Sequence, residues 1–151
     1  MKSIFDRETF NDIQTRIQKL KMNSIPQWGK MDVAQMLAHC CGPFDSALGK
    51  VPNKPDRGPV IRFLLKIAFK NMLYSDTPYQ KNLPTSPSLK VIDKKEFDAE
   101  KLRLLQNISD AYSKGIFSDW SAHPSFGYFT AEQWGKVHYK HLDHHLSQFG
   151  V

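Results

Sequence analysis

Apolar residues recur at helical spacing in five separate stretches of this chain, each bounded by residues that start or stop helices. In 6–22, Phe10, Ile13, Ile17 and Leu20 line one side, and Asn23-Ser24-Ile25-Pro26 ends the stretch because proline cannot continue the ladder. Asp32 and Gln35 form a D-x-x-Q capping pattern ahead of VAQMLAHCCGPFDSAL, 33–48. Apolar residues surround nearly all of that helix, which predicts packing on several sides, with a kink at Gly42-Pro43. Pro59 opens a third helix, VIRFLLKIAFKNMLY, 60–74. A fourth, 96–114, carries Phe97, Leu102, Leu105, Ile108 and Tyr112 and stops at Gly115. Thr130 and Gln133 repeat the capping pattern before a last helix, whose 134–149 reads WGKVHYKHLDHHLSQF. A Pro, Lys and Asn loop at 51–58, a long proline-punctuated loop at 75–95 and an HPSFG turn at 123–127 connect them. Helices with irregular connections predict one all-α domain over 1–151, a bundle of four or five helices.

The last helix carries the chemistry. At about 100° per residue, Trp134, His138, His141, Leu142, His145 and Phe149 share one face, while Lys136, Lys140, Asp143 and Ser147 lie opposite. Imidazoles therefore stand where leucines would ordinarily pack, and a buried ring needs a hydrogen-bond partner or a metal for its nitrogens. His141 and His145, one turn apart, can reach a single ion, and a third ligand must come from another helix. His39 is the natural third, being the one histidine on another helix predicted to be buried. His138 reads equally as a substitute ligand, as a donor orienting the site, or as a core histidine bonded to a carbonyl. Gln148 falls beside the stripe, placed to hold a ligating ring or a substrate, and Trp134 lies on the same face. Cys40 and Cys41 point about 100° and 200° away from His39, so they read as small apolar core residues, too close in sequence to bridge. Asp32 shares the His39 face two turns away, which leaves no carboxylate placed as a general base.

Charge adds a second theme. The net charge of +6 and pI near 9.3 suit nucleic acid, anionic lipid or acidic small molecules. Arg62, Lys66 and Lys70, spaced by four, form a basic stripe on an otherwise apolar helix. It reads either as a docking surface or, by the expectation preferred here, as the one wet face of a packed helix. No helix-turn-helix or aromatic-basic sheet motif argues for nucleic acid. The polar segment 1–12 reads as no signal peptide, and no apolar run has the length of a membrane span. With two adjacent cysteines and no disulfide framework, a cytoplasmic setting is expected.

His39 in MLAHC, together with H-x-x-H-H-x-x-Q over 141–148 (HLDHHLSQ), resembles the DinB-like, or YfiT-like, metalloenzymes. HPSFGYFTAEQW and HHLSQFG are similar to an uncharacterised branch of that superfamily. The resemblance implies an up-down four-helix bundle, here with an irregular insert at 75–95, often forming a homodimer. It implies a metal triad at His39, His141 and His145, with zinc or nickel as the ion. Relatives in that superfamily include thiol S-transferases using low-molecular-weight thiols, a thiol-dependent isomerase and hydrolases. The expectation is thus a metal-dependent enzyme performing thiol transfer or hydrolysis on a small-molecule electrophile. The insert departs from the thiol-transferase pattern, so no cosubstrate contacts carry over; with the 123–127 turn it is expected to line the pocket mouth. The competing expectation is a non-enzymatic binding module with a structural metal and a basic docking surface. A fourth protein ligand closing the site would favour it.

Overall fold

A computed structural model describes residues 1–151 apart from 53 and 56, and among them there are five α-helices and no strand. α1 is Arg7–Lys19, α2 Val33–Ala47, α3 Pro59–Phe69, α4 Phe97–Lys114 and α5 Ala131–Gln148. Short 3-10 turns occupy Asn71–Tyr74 and Pro87–Leu89, the second lying inside the 75–95 insert.

Local chemistry sets the ends of the two helices that matter most. Asp32 accepts from the Gln35 amide at 2.8 Å while the Gln35 side chain accepts from the Asp32 amide at 3.1 Å. Thr130 and Gln133 close the same reciprocal pair at the start of α5. Each pair satisfies donors that a helix N-terminus otherwise leaves open. α1 stops at Lys19, earlier than the expected boundary, because Leu20 is already extended. Pro43 lies inside α2 without ending it.

Four helices share one core. α1 packs on α4 and α5, and α2 packs on the same two, so each helix touches two others and the pairs α1/α2 and α4/α5 stand apart. Ile13, Ile17, Leu37, Phe44, Leu104, Ile108, Trp134 and Leu142 are all fully shut off from solvent in this core. α2 is buried nearly all the way round, as its sequence predicts, including Cys40 and Cys41, which are free thiols. Burial pushes both thiols up, Cys41 to about 12, and Cys40 rests its sulfur against Met36 at 3.6 Å. α4 turns differently from its predicted stripe: Phe97, Leu104, Asn107, Ile108 and Ala111 face inward, and Leu102 is 69 % exposed. Leu102 sits about 140° from Phe97 round the helix, whereas Leu104 and Ile108 return to within about 20°. Arg16 ties α1 to α5 through Asp143 at 2.7 Å and through the Val151 carbonyl.

α3 is the main departure from expectation. It ends at Phe69, the chain then tightens into the 3-10 turn at Asn71–Tyr74, and none of its residues is buried. Its one neighbour among the helical elements is that turn. The expected arrangement is also inverted. Val60, Phe63, Leu64 and Ile67 are 59–71 % exposed, while Arg62, Leu65 and Lys70 are the half-buried residues. The basic stripe therefore edges toward the protein, where Lys70 lies over the Phe129 ring, and the apolar sector faces outward.

Leu37→Ala should cost about 3 kcal/mol in urea unfolding, since it removes a fully buried side chain from the shared core. Leu64→Ala, by contrast, should change stability by less than about 0.5 kcal/mol.

Candidate metal centre

α2 and α5 bring three imidazoles to one point. One nitrogen from each of His39, His141 and His145 lies within 4.8 Å of the others, a set that could hold a metal ion. Nε2 of His39 and Nε2 of His141 face each other at 3.0 Å. Ring centroids in the trio are 4.8–4.9 Å apart, with the planes steeply tilted. His39 and His145 are buried and His141 is half-buried.

The protonation states follow from the surroundings. Leu89 presents a carbonyl to His39 Nδ1 at 2.9 Å, and a carbonyl can only accept, so Nδ1 carries the proton and Nε2 keeps its lone pair. The second relay is longer. Gln148 donates through its amide nitrogen to the Trp28 carbonyl at 2.6 Å, which fixes the amide orientation and leaves Oε1 toward His145. Nδ1 of His145, 2.8 Å from that Oε1, is therefore a donor, and its Nε2 is likewise a free lone pair. Two of the three rings are thus held in the tautomer that presents Nε2. If Nε2 of His141 donates to His39, then Nδ1 of His141 becomes an acceptor, and that buried atom has no partner. An ion taking the three lone pairs would free Nε2 of His141 from donating, and the unpartnered Nδ1 would then carry the proton.

Charge points the same way. Burial holds all three imidazoles below their ordinary pKa, His145 at about 3, with mutual repulsion of the neighbouring rings adding to the effect on His141 and His145. On His39 the Leu89 carbonyl partly opposes the shift. Neutral imidazoles are what a divalent ion requires. Three imidazole nitrogens could hold a metal ion, and they are not the oxygen-rich shell that calcium or magnesium takes.

Two glycines let the relays close. A side chain on Gly29, whose φ is +86°, would collide with the Gln148 amide nitrogen, so only glycine lets the Trp28 carbonyl approach it. On α2 a Cβ at Gly42 would sit 2.6 Å from Leu89, which therefore docks where the helix has no side chain. The insert thus packs directly on α2 through Leu89. The 123–127 turn does not share this position: His123 stacks against Trp134 at 5.7 Å, toward the other end of the α5 stripe.

The remaining sequence candidates divide. Gln148 holds a cluster ring. Trp134 is a fully buried core residue. His138 lies between Phe44, 4.0 Å away and nearly parallel, and Trp134 at 5.1 Å. Neither of its nitrogens has a partner, so it is neither a member of the cluster nor bonded to a carbonyl. Burial, reinforced by nearby His123, brings its pKa to about 3. Lys140 was expected to face water, yet it is 6 % exposed. The segment after α3 folds across it, and its amine donates to the carbonyls of Met72 and Ser75. Sequence periodicity missed three contributors: Leu89, Trp28 and His144. The first two act through backbone carbonyls, which leave no trace in residue type. His144 was visible in the motif, and its ring centroid lies 5.0 Å from that of His145. It borders a cleft of about 600 Å³, also lined by Trp28, Tyr79, Lys81 and Lys140.

Fold and site together define an all-helical protein with a three-histidine cluster fit for a divalent ion, and no helix among the described residues is long and apolar enough to cross a membrane. The chain belongs to the DUF1569 family, described as a protein family of unknown function, whose family model matches residues 4–150. No curated protein and no solved structure matches it.

Metal-free protein should lose stability on acidification from about pH 6.5 toward pH 3, because the unfolded chain binds protons that buried His138 and His145 refuse. The His138→Phe variant keeps the stacked volume and should lower that slope by up to about 1.4 kcal/mol per pH unit, read from urea unfolding at several pH values in chelator.

Proposed function

We propose that this chain is a DinB-like four-helix bundle of α1, α2, α4 and α5. In this reading it is a metal-dependent enzyme whose ion is held by His39, His141 and His145. The convergence of three neutral imidazoles, two of them fixed to present Nε2, carries the reading. Support for the bundle comes from the cyclic packing of the four helices and from ligands placed on facing helices, the usual construction of metal sites in bundles.

An ion with three protein ligands keeps an open position, and there it would supply a Lewis acid that acidifies water or a thiol near neutral pH. Everything else falls to the chain. Gln148 and Leu89 hold the ligand rings in place. The insert covers one side of the cluster, and the cleft beside His144 admits a small molecule. Trp28 and Tyr79 give that cleft flat apolar walls, with Lys81 over the indole and Lys140 over the phenol at 4.4 Å each. Cationic, aromatic walls suit a small electrophile or thiol that carries negative charge. Among the described residues no carboxylate joins the histidines in the cluster. Thiol transfer, which asks for less base assistance than hydrolysis, is therefore the favoured reaction, with a low-molecular-weight thiol as cosubstrate.

The purified protein should bind about one zinc or nickel ion per chain, as three converging ligands require. In His145→Ala that stoichiometric metal should be lost with helix content retained, whereas Gln148→Leu should weaken affinity about 10–100-fold. Elemental analysis and competition with a chelator measure both. Full occupancy in His145→Ala would refute the ligand assignment. Cobalt-substituted protein should change its visible spectrum when thiols are titrated in, and a silent spectrum argues for a closed structural site.

A further inference from the structure

α3 makes no sense as a helix built for water. Over Pro59–Phe69 it carries no acidic residue, and its outward sector is Val60, Phe63, Leu64 and Ile67, each more than half exposed. Arg62 and Lys70 turn the other way. The Nε of Arg62 is cut off from solvent without a partner, and Lys70 reaches the Tyr128 carbonyl and the Phe129 ring. A surface helix free to rotate would put its bases in water and its leucines and isoleucines against the core. This one is held in the opposite sense. A contiguous exposed apolar face of this kind marks a contact with something apolar.

We infer that α3 is an in-plane membrane anchor that seats its Val60–Phe63–Leu64–Ile67 face in the surface of an anionic bilayer. Length excludes a span: 11 residues rise about 16 Å, roughly half a hydrocarbon core. The outward sector is that of an interfacial helix, an apolar face with the exposed Lys66 at its side. Charge selects the lipid. Between 54 and 70 the sequence holds Lys54, Arg57, Arg62, Lys66 and Lys70 against one acid, Asp56, while Lys50 is paired with Asp110. Lys54, Arg57 and Lys66 are exposed, a positive fringe for anionic headgroups. Tyr128, 68 % exposed and tied to α3 through Lys70, adds an aromatic of the kind that settles at the headgroup level. A second copy of this chain fits the face less well. A twofold pairing sets a surface against itself, so it would bring the two basic fringes together.

Co-sedimentation with unilamellar vesicles tests this directly, using the full chain with its metal. The protein should bind phosphatidylcholine–phosphatidylglycerol vesicles, far less to phosphatidylcholine alone, and should detach in about 0.5 M salt. The Phe63→Ser/Ile67→Ser double variant should lose at least about tenfold in partitioning. Its thermal midpoint and metal content should match the parent, which shows the fold intact. Lys66→Glu should weaken binding to anionic vesicles alone. Absence of vesicle binding, equal binding to both lipids, or unchanged binding by the double variant would each overturn the inference. So would a dimer in sedimentation velocity that the double variant dissolves, in a protein that ignores vesicles.

Discussion

Imidazoles withdrawn from water within a few ångströms of one another cannot all be protonated, and a neutral ring must still find something for each nitrogen. Much of the local structure around α5 follows from that constraint. Two Nδ1 protons go to Leu89 and, through Gln148, toward Trp28. One nitrogen from each ring is left within 4.8 Å of the others, Nε2 of His39 and of His141 facing at 3.0 Å, a set that could hold a metal ion. Gly29 leaves room for the Gln148 amide that bonds Trp28, and Gly42 for the side chain of Leu89, whose carbonyl meets His39. The capping boxes fix where α2 and α5 begin, and the Arg16–Asp143 pair ties α5 to α1.

How much of this could be read from the sequence depends on the kind of information involved. Both capping boxes, the all-round burial of α2 and the inward phase of His141 and His145 were legible, since each is a local pattern with its own period. His39 was legible by elimination, as the histidine on the other buried helix. The stripe on α4 was misplaced by Leu102, because several apolar residues compete for one helix face and packing decides among them. Lys140 was placed outward by its phase opposite the histidines, yet a lysine can be buried there where backbone carbonyls receive its amine. Backbone acceptors such as those of Leu89 and Trp28 were beyond reach, because every residue owns a carbonyl and only the fold aims it.

α3 shows the limit of periodicity from another side. Its amphipathic pattern was read correctly, but the pattern does not say which face meets the protein. In a helix that packs on the core the two assignments coincide. Here they do not, since the four other helices already close the core and, among the described helical elements, α3 meets only the turn that follows it. The chain tolerates this because Lys70 and the segment around Met72 and Ser75 hold the end of α3 to the body, through polar contacts and through Leu73 and Tyr74 packed against the core.

The bond from His39 to the Leu89 carbonyl also has a thermodynamic side. While the insert is docked, one tautomer of His39 is favoured; once it lifts away, the proton can sit on either nitrogen. Anything that occupies Nε2 therefore favours the docked insert by the same factor that docking favours its occupation. The two events share a single coupling free energy, so the segment at 87–89 reports on the cluster as faithfully as the histidines do.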